Sequence, residues 1–168
     1  METRVALAVC VVLGSALCGK ALSDAARRRA RTVTDLAEGL KALRLHMTGM
    51  LEPLGNALQH SDCPLLAMVG EGMKGGGSAA DVWRTARPSA LGRGGAADAL
   101  TDRDAEALDR LFGHLGLGGR EEQKALLDGI IADVERLRDG AAARAREAER
   151  LYTALGFLIG LMLALIVL

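Results

Sequence analysis

Residues 120–168 read REEQKALLDGIIADVERLRDGAAARAREAERLYTALGFLIGLMLALIVL. The last eighteen of them, residues 151–168, carry no charged side chain and contain eleven Leu, Ile, Val or Phe residues. Roughly 17–25 apolar residues cross the hydrocarbon core of a bilayer as a helix, and these side chains would contribute about −3 to −6 kcal/mol to insertion. The sequence therefore predicts a C-terminal transmembrane helix over residues 151–168.

The segment before this stretch has the period of one helix face. Small or apolar residues recur at steps of three and four, at Leu127, Ile130, Val134, Leu137, Ala141, Ala148, Leu151 and Leu155, with Arg144 at one step. No proline interrupts the pattern, so we predict one helix from about Arg120 directly into the C-terminal span. Two interpretations stay open for its face: a helix of an intramolecular bundle, or a two-chain coiled coil.

A second apolar run, residues 5–19, lies near the N-terminus. It has the length of a signal-peptide core, and the small residues at Gly14, Ser15 and Ala16 would permit cleavage after Ala16. Basic residues follow it, at Lys20, Arg27, Arg28, Arg29 and Arg31. Positive charge close to an apolar segment tends to stay in the cytoplasm, which favours an uncleaved N-terminal transmembrane helix over residues 1–22. Cleavage, which would give an exported anchored protein, is the alternative.

The flanking charges also predict the topology of the chain. Arg144, Arg146 and Arg150 precede the C-terminal span, so both ends of the middle segment are basic. We therefore expect residues 23–150 to form a cytoplasmic domain with both termini outside. The same basic residues, from Lys20 to Arg31 and at Arg150, can contact anionic lipid headgroups.

Composition limits the fold and the function. The chain has 168 residues, of which 50% are hydrophobic and only 2% aromatic, which favours helices packed on helices. A formal net charge of zero argues against a nucleic-acid-binding protein. The three cysteines, Cys10, Cys18 and Cys63, do not form a disulfide framework and suit a reducing compartment.

Helix signals in the middle segment begin with a regular apolar pattern at Val33, Leu36, Leu40, Leu43, Met47, Met50, Leu54 and Leu58. Pro53 cannot donate a backbone hydrogen bond and crowds the preceding turn. We therefore predict a long helix to about Met50, followed by a shorter helix with Pro53 in its first turn. Residues 64–69 form a short apolar piece that predicts one or two helical turns.

Two capping signals mark further helices. Ser78 with Asp81 predicts a helix that stops before Pro88. Thr101 with Asp104 predicts a helix that ends near Gly116 and buries Leu108, Leu111, Phe112 and Leu115 on one face. The resulting fold class is all-α: a bundle of about five to six helices flanked by an N-terminal and a C-terminal transmembrane helix, with the last bundle helix continuous with the C-terminal span.

Motifs for catalysis, cofactors and metals are weak. Residues 70–75 match GxGxxG, but the surrounding pattern is helical and no βαβ unit is visible, so we interpret residues 70–78 as a flexible loop. His60 and Cys63 have ligand-like spacing, but a closed zinc site needs two more ligands, and neither His46 nor His114 is placed beside them by the pattern. We therefore expect no enzyme, no cofactor and no metal site.

The C-terminal span contains a second motif. Gly156 and Gly160 form GxxxG, a spacing that lets two membrane helices approach closely. We expect these glycines to pack against the N-terminal span or against another protein, while a chance occurrence remains the alternative because glycine is common in membrane helices.

The order of these elements resembles the stage III sporulation protein AB family of endospore-forming bacteria. The resemblance is best over residues 108–168, where the residues shared with the family pattern are Leu115, Gly116, Arg120, Glu121, Gln123, Tyr152, Leu155, Gly156 and Gly160. Upstream, Pro53, Leu54 and Leu58 resemble its TPL..AL element, and residues 81–83 its EAW element. The sequence departs from the pattern at Glu52, Gly119 and Glu149, where Thr, Asp and Lys are usual.

The resemblance implies a specific function, which composition, periodicity and motifs alone do not indicate. The family is similar in fold to the cytoplasmic domain of type II secretion platform proteins. A member would be a membrane-embedded structural component of the channel between mother cell and forespore, in the mother-cell membrane around the forespore. Its partners would be other sporulation channel proteins, with contact to a secretion-type ATPase and self-association left open. Arg120, Glu121 and Gln123 are then candidates for partner docking.

A different class of function is the alternative. The same two apolar ends and helical middle would suit a generic membrane-anchored helical adaptor with no connection to sporulation. Composition and periodicity alone are compatible with both functions. Only the family pattern favours the channel component over the generic adaptor.

Overall fold

The computed structural model describes the backbone of residues 2–167 and the side chains of residues 23–152, 154, 155, 158, 159 and 162. Over this range it contains six α-helices and no strand: α1 Glu2–Thr48, α2 Leu54–Gln59, α3 Pro64–Met73, α4 Ala79–Leu91, α5 Asp102–His114 and α6 Arg120–Val167. The all-helical prediction is confirmed. The single last helix, expected to start near Arg120 and continue into the apolar C-terminus, is confirmed as well.

The chain divides into two compact units. The central unit is Arg31–Asp139, and the terminal unit combines Met1–Ala30 with Gly140–Leu168. Within the part of the chain whose side chains are described, no helix combines the length and the apolarity that crossing a bilayer requires. The expected N-terminal span and most of the expected C-terminal one lie outside that part, so both spans stay predictions.

The core of the central unit follows the predicted apolar faces. On α1, Val33, Leu36, Leu40 and Leu43 are at most 3% exposed, in agreement with the three–four spacing. They belong to one cluster with buried residues of the other helices, namely Leu58, Leu66, Val69, Trp83, Leu108, Leu111, Phe112, Leu127 and Val134. Replacing such a leucine by alanine in a packed core costs about 2–5 kcal/mol, so this cluster accounts for much of the stability of the unit.

Three ion pairs connect α1 and α6 at the surface of the central unit. Arg44 Nε lies 2.5 Å from Asp128 Oδ1, Lys41 Nζ 2.9 Å from Glu135 Oε1, and a longer pair joins Arg138 to Glu38 at 3.8 Å. Hydrogen bonds to Glu135 and then Glu38 raise the pKa of Lys41. Exposed pairs of this kind are worth about 0–1 kcal/mol each, so their main contribution is to favour one alignment of the two helices.

Helix α3 is longer than predicted and includes the first four of the six residues of the GxGxxG stretch. A Cβ at Gly70 would lie 2.8 Å from the Gly55 carbonyl oxygen, and a Cβ at Gly72 would lie 2.4 Å from Val82 Cγ1. These glycines therefore permit close contacts between helices, and the expectation of a flexible loop was wrong for residues 70–73. A nucleotide-binding loop is excluded at this position because these residues are helical.

Helix α4 continues past Pro88 to Leu91, contrary to the predicted stop. Pro88 has no N–H and cannot donate a hydrogen bond to the preceding turn, but the turn after it is stabilised by contacts of its own. Ala90 is 1% exposed, and its carbonyl accepts a hydrogen bond from Ala97 N at 2.9 Å. Burial and this hydrogen bond from the following loop outweigh the local effect of Pro88 on the helix.

The predicted caps of α4 and α5 are confirmed. Ser78 Oγ accepts from Asp81 N at 3.2 Å, and hydrogen bonding to Ser78 lowers the pKa of Asp81. At α5, Asp104 Oδ2 accepts from Thr101 N at 2.9 Å and from Thr101 Oγ1 at 2.8 Å. Gly116 follows the end of α5 with φ of +85°, the left-handed conformation expected of a residue just past a helix C-terminus.

In the terminal unit, the buried face of α6 differs from the predicted one. Ala141 and Ala145 are buried, whereas Arg144 is exposed. The apolar face therefore passes through Ala145 rather than Arg144. Arg27 Nη2 lies 2.6 Å from Glu149 Oε1, so the glutamate that departs from the lysine of the family pattern contacts a residue of opposite charge.

Candidate functional site

The connection between α1 and α2 is a tight corner, which we call the α1–α2 corner and define as residues 46–60. After α1 ends, Gly49 N and Met50 N both donate to Leu45 O, at 2.8 and 3.2 Å, and Glu52 N donates to His46 O at 3.1 Å. A Cβ at Gly49 would lie 2.8 Å from that same Leu45 oxygen. Leu51 has φ of +59°, a left-handed conformation that costs of order 1 kcal/mol or more in a non-glycine residue. The backbone therefore fixes the position of Glu52.

Glu52 connects two histidines from different parts of the corner. Its Oε2 lies 3.0 Å from His60 Nδ1 and 3.3 Å from His46 Nδ1. The two imidazole rings have centroids 5.6 Å apart and are tilted by 45°. Hydrogen bonding to His60 is the main cause that lowers the pKa of Glu52 below its usual value, and the nearby charge of His46 acts in the same direction. We call His46, Glu52 and His60 the His–Glu–His cluster.

Four large apolar side chains are exposed at this end of the central unit: Leu45 at 55%, Met50 at 57%, Leu51 at 64% and Leu117 at 64%. The turn between α5 and α6, residues 115–119, lies beside the corner, since a Cβ at Gly116 would be 2.9 Å from Leu54 Cδ2. Grouped exposed apolar residues are typical of interaction surfaces, whereas single ones are not informative.

Gln123, predicted as a docking residue, is an internal structural residue. It is 7% exposed, its Oε1 accepts from Gly116 N at 2.9 Å, and its Nε2 donates to His114 O at 3.2 Å and also to Leu117 O. The amide therefore satisfies backbone groups of the α5–α6 turn. We correct the prediction for this residue, because a partner cannot reach an amide that is enclosed and fully hydrogen-bonded.

The other two docking candidates are at the surface. Arg120 and Glu121 are exposed in the first turn of α6. The Arg120 guanidinium donates to Thr48 O at the end of α1, which connects the start of α6 to the α1–α2 corner. Docking through Arg120 and Glu121 therefore stays a prediction, and the structure adds that Arg120 contacts the corner whose Met50 and Leu51 side chains are exposed.

Cys63, which has ligand-like spacing to His60 in the sequence, belongs to the hydrophobic core. It is 4% exposed and precedes Pro64 at the start of α3, and a Cβ on Gly39 would come within 2.4 Å of its own Cβ. Burial raises the pKa of the Cys63 thiol. Cys63 is therefore enclosed in the core, whereas the His60 side chain is 60% exposed.

Most of the predicted topology residues are accessible. Arg27, Arg28, Arg31 and Arg150 are exposed and Arg29 is half-buried. The side chain of Lys20 and those of Gly156 and Gly160 lie outside the described residues. Headgroup contact and helix packing through these residues stay predictions.

A shallow groove lies between α5 and α6 in the central unit, but its charges neutralise one another. It is lined by Arg103, Glu106, Asp109, Arg110, Asp133 and Arg136. Asp133 contacts Arg136 at 2.6 Å and Arg110 at 3.9 Å, and Asp109 accepts from Arg87 Nε at 3.1 Å and from Trp83 Nε1 at 2.7 Å. This arrangement stabilises the helix pair and does not concentrate one sign of charge for a ligand.

The architecture defines an all-helical protein in which two long terminal helices accompany four short ones. A family model described as Stage III sporulation protein AB matches residues 4–168. The match covers nearly the whole sequence, so the chain belongs to the stage III sporulation protein AB family and has a sporulation-related role. Comparison with curated proteins and with solved structures gives no match, and the expected similarity in fold to type II secretion platform proteins therefore stays a prediction.

The His–Glu–His cluster was missed from the sequence. His46 and His60 are fourteen positions apart on separate helical segments. The spacing of apolar residues does not predict that the α1–α2 corner places these two helix ends close together. The available signal was Glu52 itself, a departure from the family pattern located between the two histidines.

Proposed function

We propose that this protein is a membrane-embedded structural component of the secretion-like channel complex between mother cell and forespore, acting through protein–protein contacts. The observation that carries the proposal is the family match, which extends from residue 4 to residue 168. It includes both apolar ends as well as the helical middle. In this proposal the two ends anchor the chain in the mother-cell membrane, and the cytoplasmic central unit contacts other channel proteins and is near a secretion-type ATPase.

The features of the central unit support a contact surface at one end. The exposed side chains of Met50, Leu51 and Leu117 supply apolar area, and Arg120 and Glu121 supply charge beside it. Interfaces commonly combine an apolar centre with a polar rim. We therefore propose that the end of the unit formed by the α1–α2 corner and the first turn of α6 docks a channel protein.

The role in sporulation is tested by an in-frame deletion in the source organism. We expect arrest after engulfment, a severe loss of heat-resistant spores and normal vegetative growth, scored by microscopy and by heat-resistant counts. Expression of the intact chain from a second locus should restore spores. Normal sporulation of the deletion strain would contradict the proposal and leave the generic membrane-anchored adaptor as the better interpretation.

The docking surface is tested separately with two matched charge reversals. Glu121 and Asp102 are both exposed acidic residues in the first turn of a helix, so Glu121→Lys and Asp102→Lys lose similar stabilisation by the helix dipole. In the complemented deletion strain we expect Glu121→Lys to lower spore counts and Asp102→Lys to leave them near wild type. Equal counts for the two variants at equal protein levels would contradict docking at this end of the unit.

A further inference from the structure

The His–Glu–His cluster contains the atoms that bind a transition metal ion. One atom from each of the three side chains can be chosen so that all lie within 4.8 Å of one another. A tetrahedral ion with bonds of about 2.0–2.1 Å holds its ligand atoms about 3.3 Å apart. The Glu52 oxygen is 3.3 Å from His46 Nδ1 and 3.0 Å from His60 Nδ1, so one edge has this length and a second is slightly shorter.

The hydrogen bonding of the cluster is incomplete. His46 Nδ1 is enclosed and has no hydrogen-bond partner among the described residues, although a carboxylate oxygen lies 3.3 Å away. A buried polar atom without a partner is costly, and a metal ion between the nitrogen and the carboxylate would satisfy both groups. The His60 side chain is 60% exposed, which provides a path for an ion from solvent.

The three ligands also have a rigid frame. His46 lies in the last turn of α1, Glu52 in the connection, and His60 at the C-terminal cap of α2. The bond from Glu52 N to His46 O and that from His60 N to Asn56 O hold the backbone of the ligands in place. Such support reduces the ordering that binding would otherwise require.

We propose that His46, Glu52 and His60 bind one divalent first-row transition ion, with Zn²⁺ as the best-matched probe. Two imidazoles and one carboxylate are a known zinc ligand set, which leaves a fourth position for water. Imidazole ligands disfavour Mg²⁺ and Ca²⁺, which prefer oxygen. The bound ion ties the end of α1 to the end of α2 and restricts the loop that exposes Met50 and Leu51. The site does not depend on the proposed function.

The test uses the untagged full-length chain in detergent micelles, stripped of metal with a chelator. Titration with Zn²⁺ should give one ion per chain by calorimetry, and Co²⁺ should give the intense visible absorption of tetrahedral coordination. His60→Asn, at an exposed position, should weaken Zn²⁺ binding by about 100-fold, and Glu52→Gln should do the same. His114→Asn changes an exposed histidine elsewhere and should bind like the wild type.

Several outcomes would overturn the site. They are the lack of a stoichiometric Zn²⁺ binding event in the wild type, an octahedral Co²⁺ spectrum with water ligands only, and equal affinity in His60→Asn and wild type. Any of these would mean that the three residues are only a hydrogen-bonded charge cluster. Circular dichroism of each variant establishes that a loss of binding is not a loss of fold.

Discussion

The α1–α2 corner and the α5–α6 turn are neighbouring helix connections that use a polar side chain in opposite ways. At the turn, Gln123 is buried and its amide bonds to three backbone groups. At the corner, Glu52 faces two imidazoles, and His46 Nδ1 has no hydrogen bond. A polar group whose bonding capacity is used internally stabilises the fold, whereas a group with capacity left can bind a ligand.

The largest expected effect on the free energy of unfolding comes from a substitution in the α5–α6 turn. Gln123→Ala should lower the free energy of unfolding by about 2–3 kcal/mol, because it removes three hydrogen bonds of a buried amide, each worth about 0.5–1.5 kcal/mol. Urea unfolding in detergent micelles, followed by fluorescence of the single tryptophan Trp83, measures the change. Lys124→Ala, at the exposed neighbouring position, should change it by less than about 0.5 kcal/mol. Equal stability of the two variants would mean that Gln123 does not stabilise the turn.

The next largest effect concerns Gly116, whose backbone N–H donates a hydrogen bond to the Gln123 side chain. Gly116 has φ of +85° and a Cβ there would approach Leu54 Cδ2 to 2.9 Å, so Gly116→Ala should cost about 1–2 kcal/mol. Gly113→Ala is the control, since that residue is helical and a Cβ there meets nothing within 4 Å. We expect Gly113→Ala to gain up to about 1 kcal/mol. A Gly116→Ala variant as stable as wild type would contradict a conformational role.

A smaller effect of opposite sign is expected at the corner. Leu51 has φ of +59° and is 64% exposed, so Leu51→Gly should stabilise the protein by about 0.5–1 kcal/mol through relief of strain. The exposed neighbour Met50 serves as control, and Met50→Gly should give no such gain. If Leu51→Gly destabilised the protein in the same urea experiment, the side chain would be contributing contacts that outweigh its backbone strain.

A further prediction concerns Cys63, the near neighbour of the corner in sequence, and it is a reaction rate rather than a change in stability. Its burial and raised pKa predict that the native chain reacts with a maleimide at least about 100-fold more slowly than a free thiol at neutral pH. A cysteine introduced at the exposed Ala125 should react at the ordinary rate. Fast labelling of Cys63 in a chain in which Cys10 and Cys18 are replaced would contradict its burial. Topology mapping therefore needs an introduced cysteine as reporter.

The helices were predictable because their signals are local. The spacing from Val33 to Leu43 identified the buried face of α1, and the Ser78 and Thr101 caps located the starts of α4 and α5. Local rules failed where a distant contact outweighed them: Ala90 is buried beyond Pro88, and Gly70 and Gly72 pack against other helices. These contacts depend on tertiary packing, which periodicity does not contain.

The candidate site was less predictable than the fold for the same reason. Gln123 was identified as important from the family pattern, but the pattern does not tell a buried amide from an exposed one. Glu52 was noted as a departure, yet its proximity to His46 and His60 depends on the left-handed backbone at Leu51. Arg120 and Glu121 were correctly expected near the start of α6, and whether they contact a partner is a question for sporulating cells.

The most direct measurement is site-specific photo-crosslinking during sporulation, with a photoreactive amino acid at Leu51 or, as control, at the exposed Glu106 on α5. Both strains should first be shown to form spores. We predict crosslinks to another protein from Leu51 in sporulating cells, few or none from Glu106, and none from either position in vegetative cells expressing the chain. Crosslinks from Glu106 alone, or equal crosslinking in vegetative cells, would contradict a sporulation-specific contact at the α1–α2 corner.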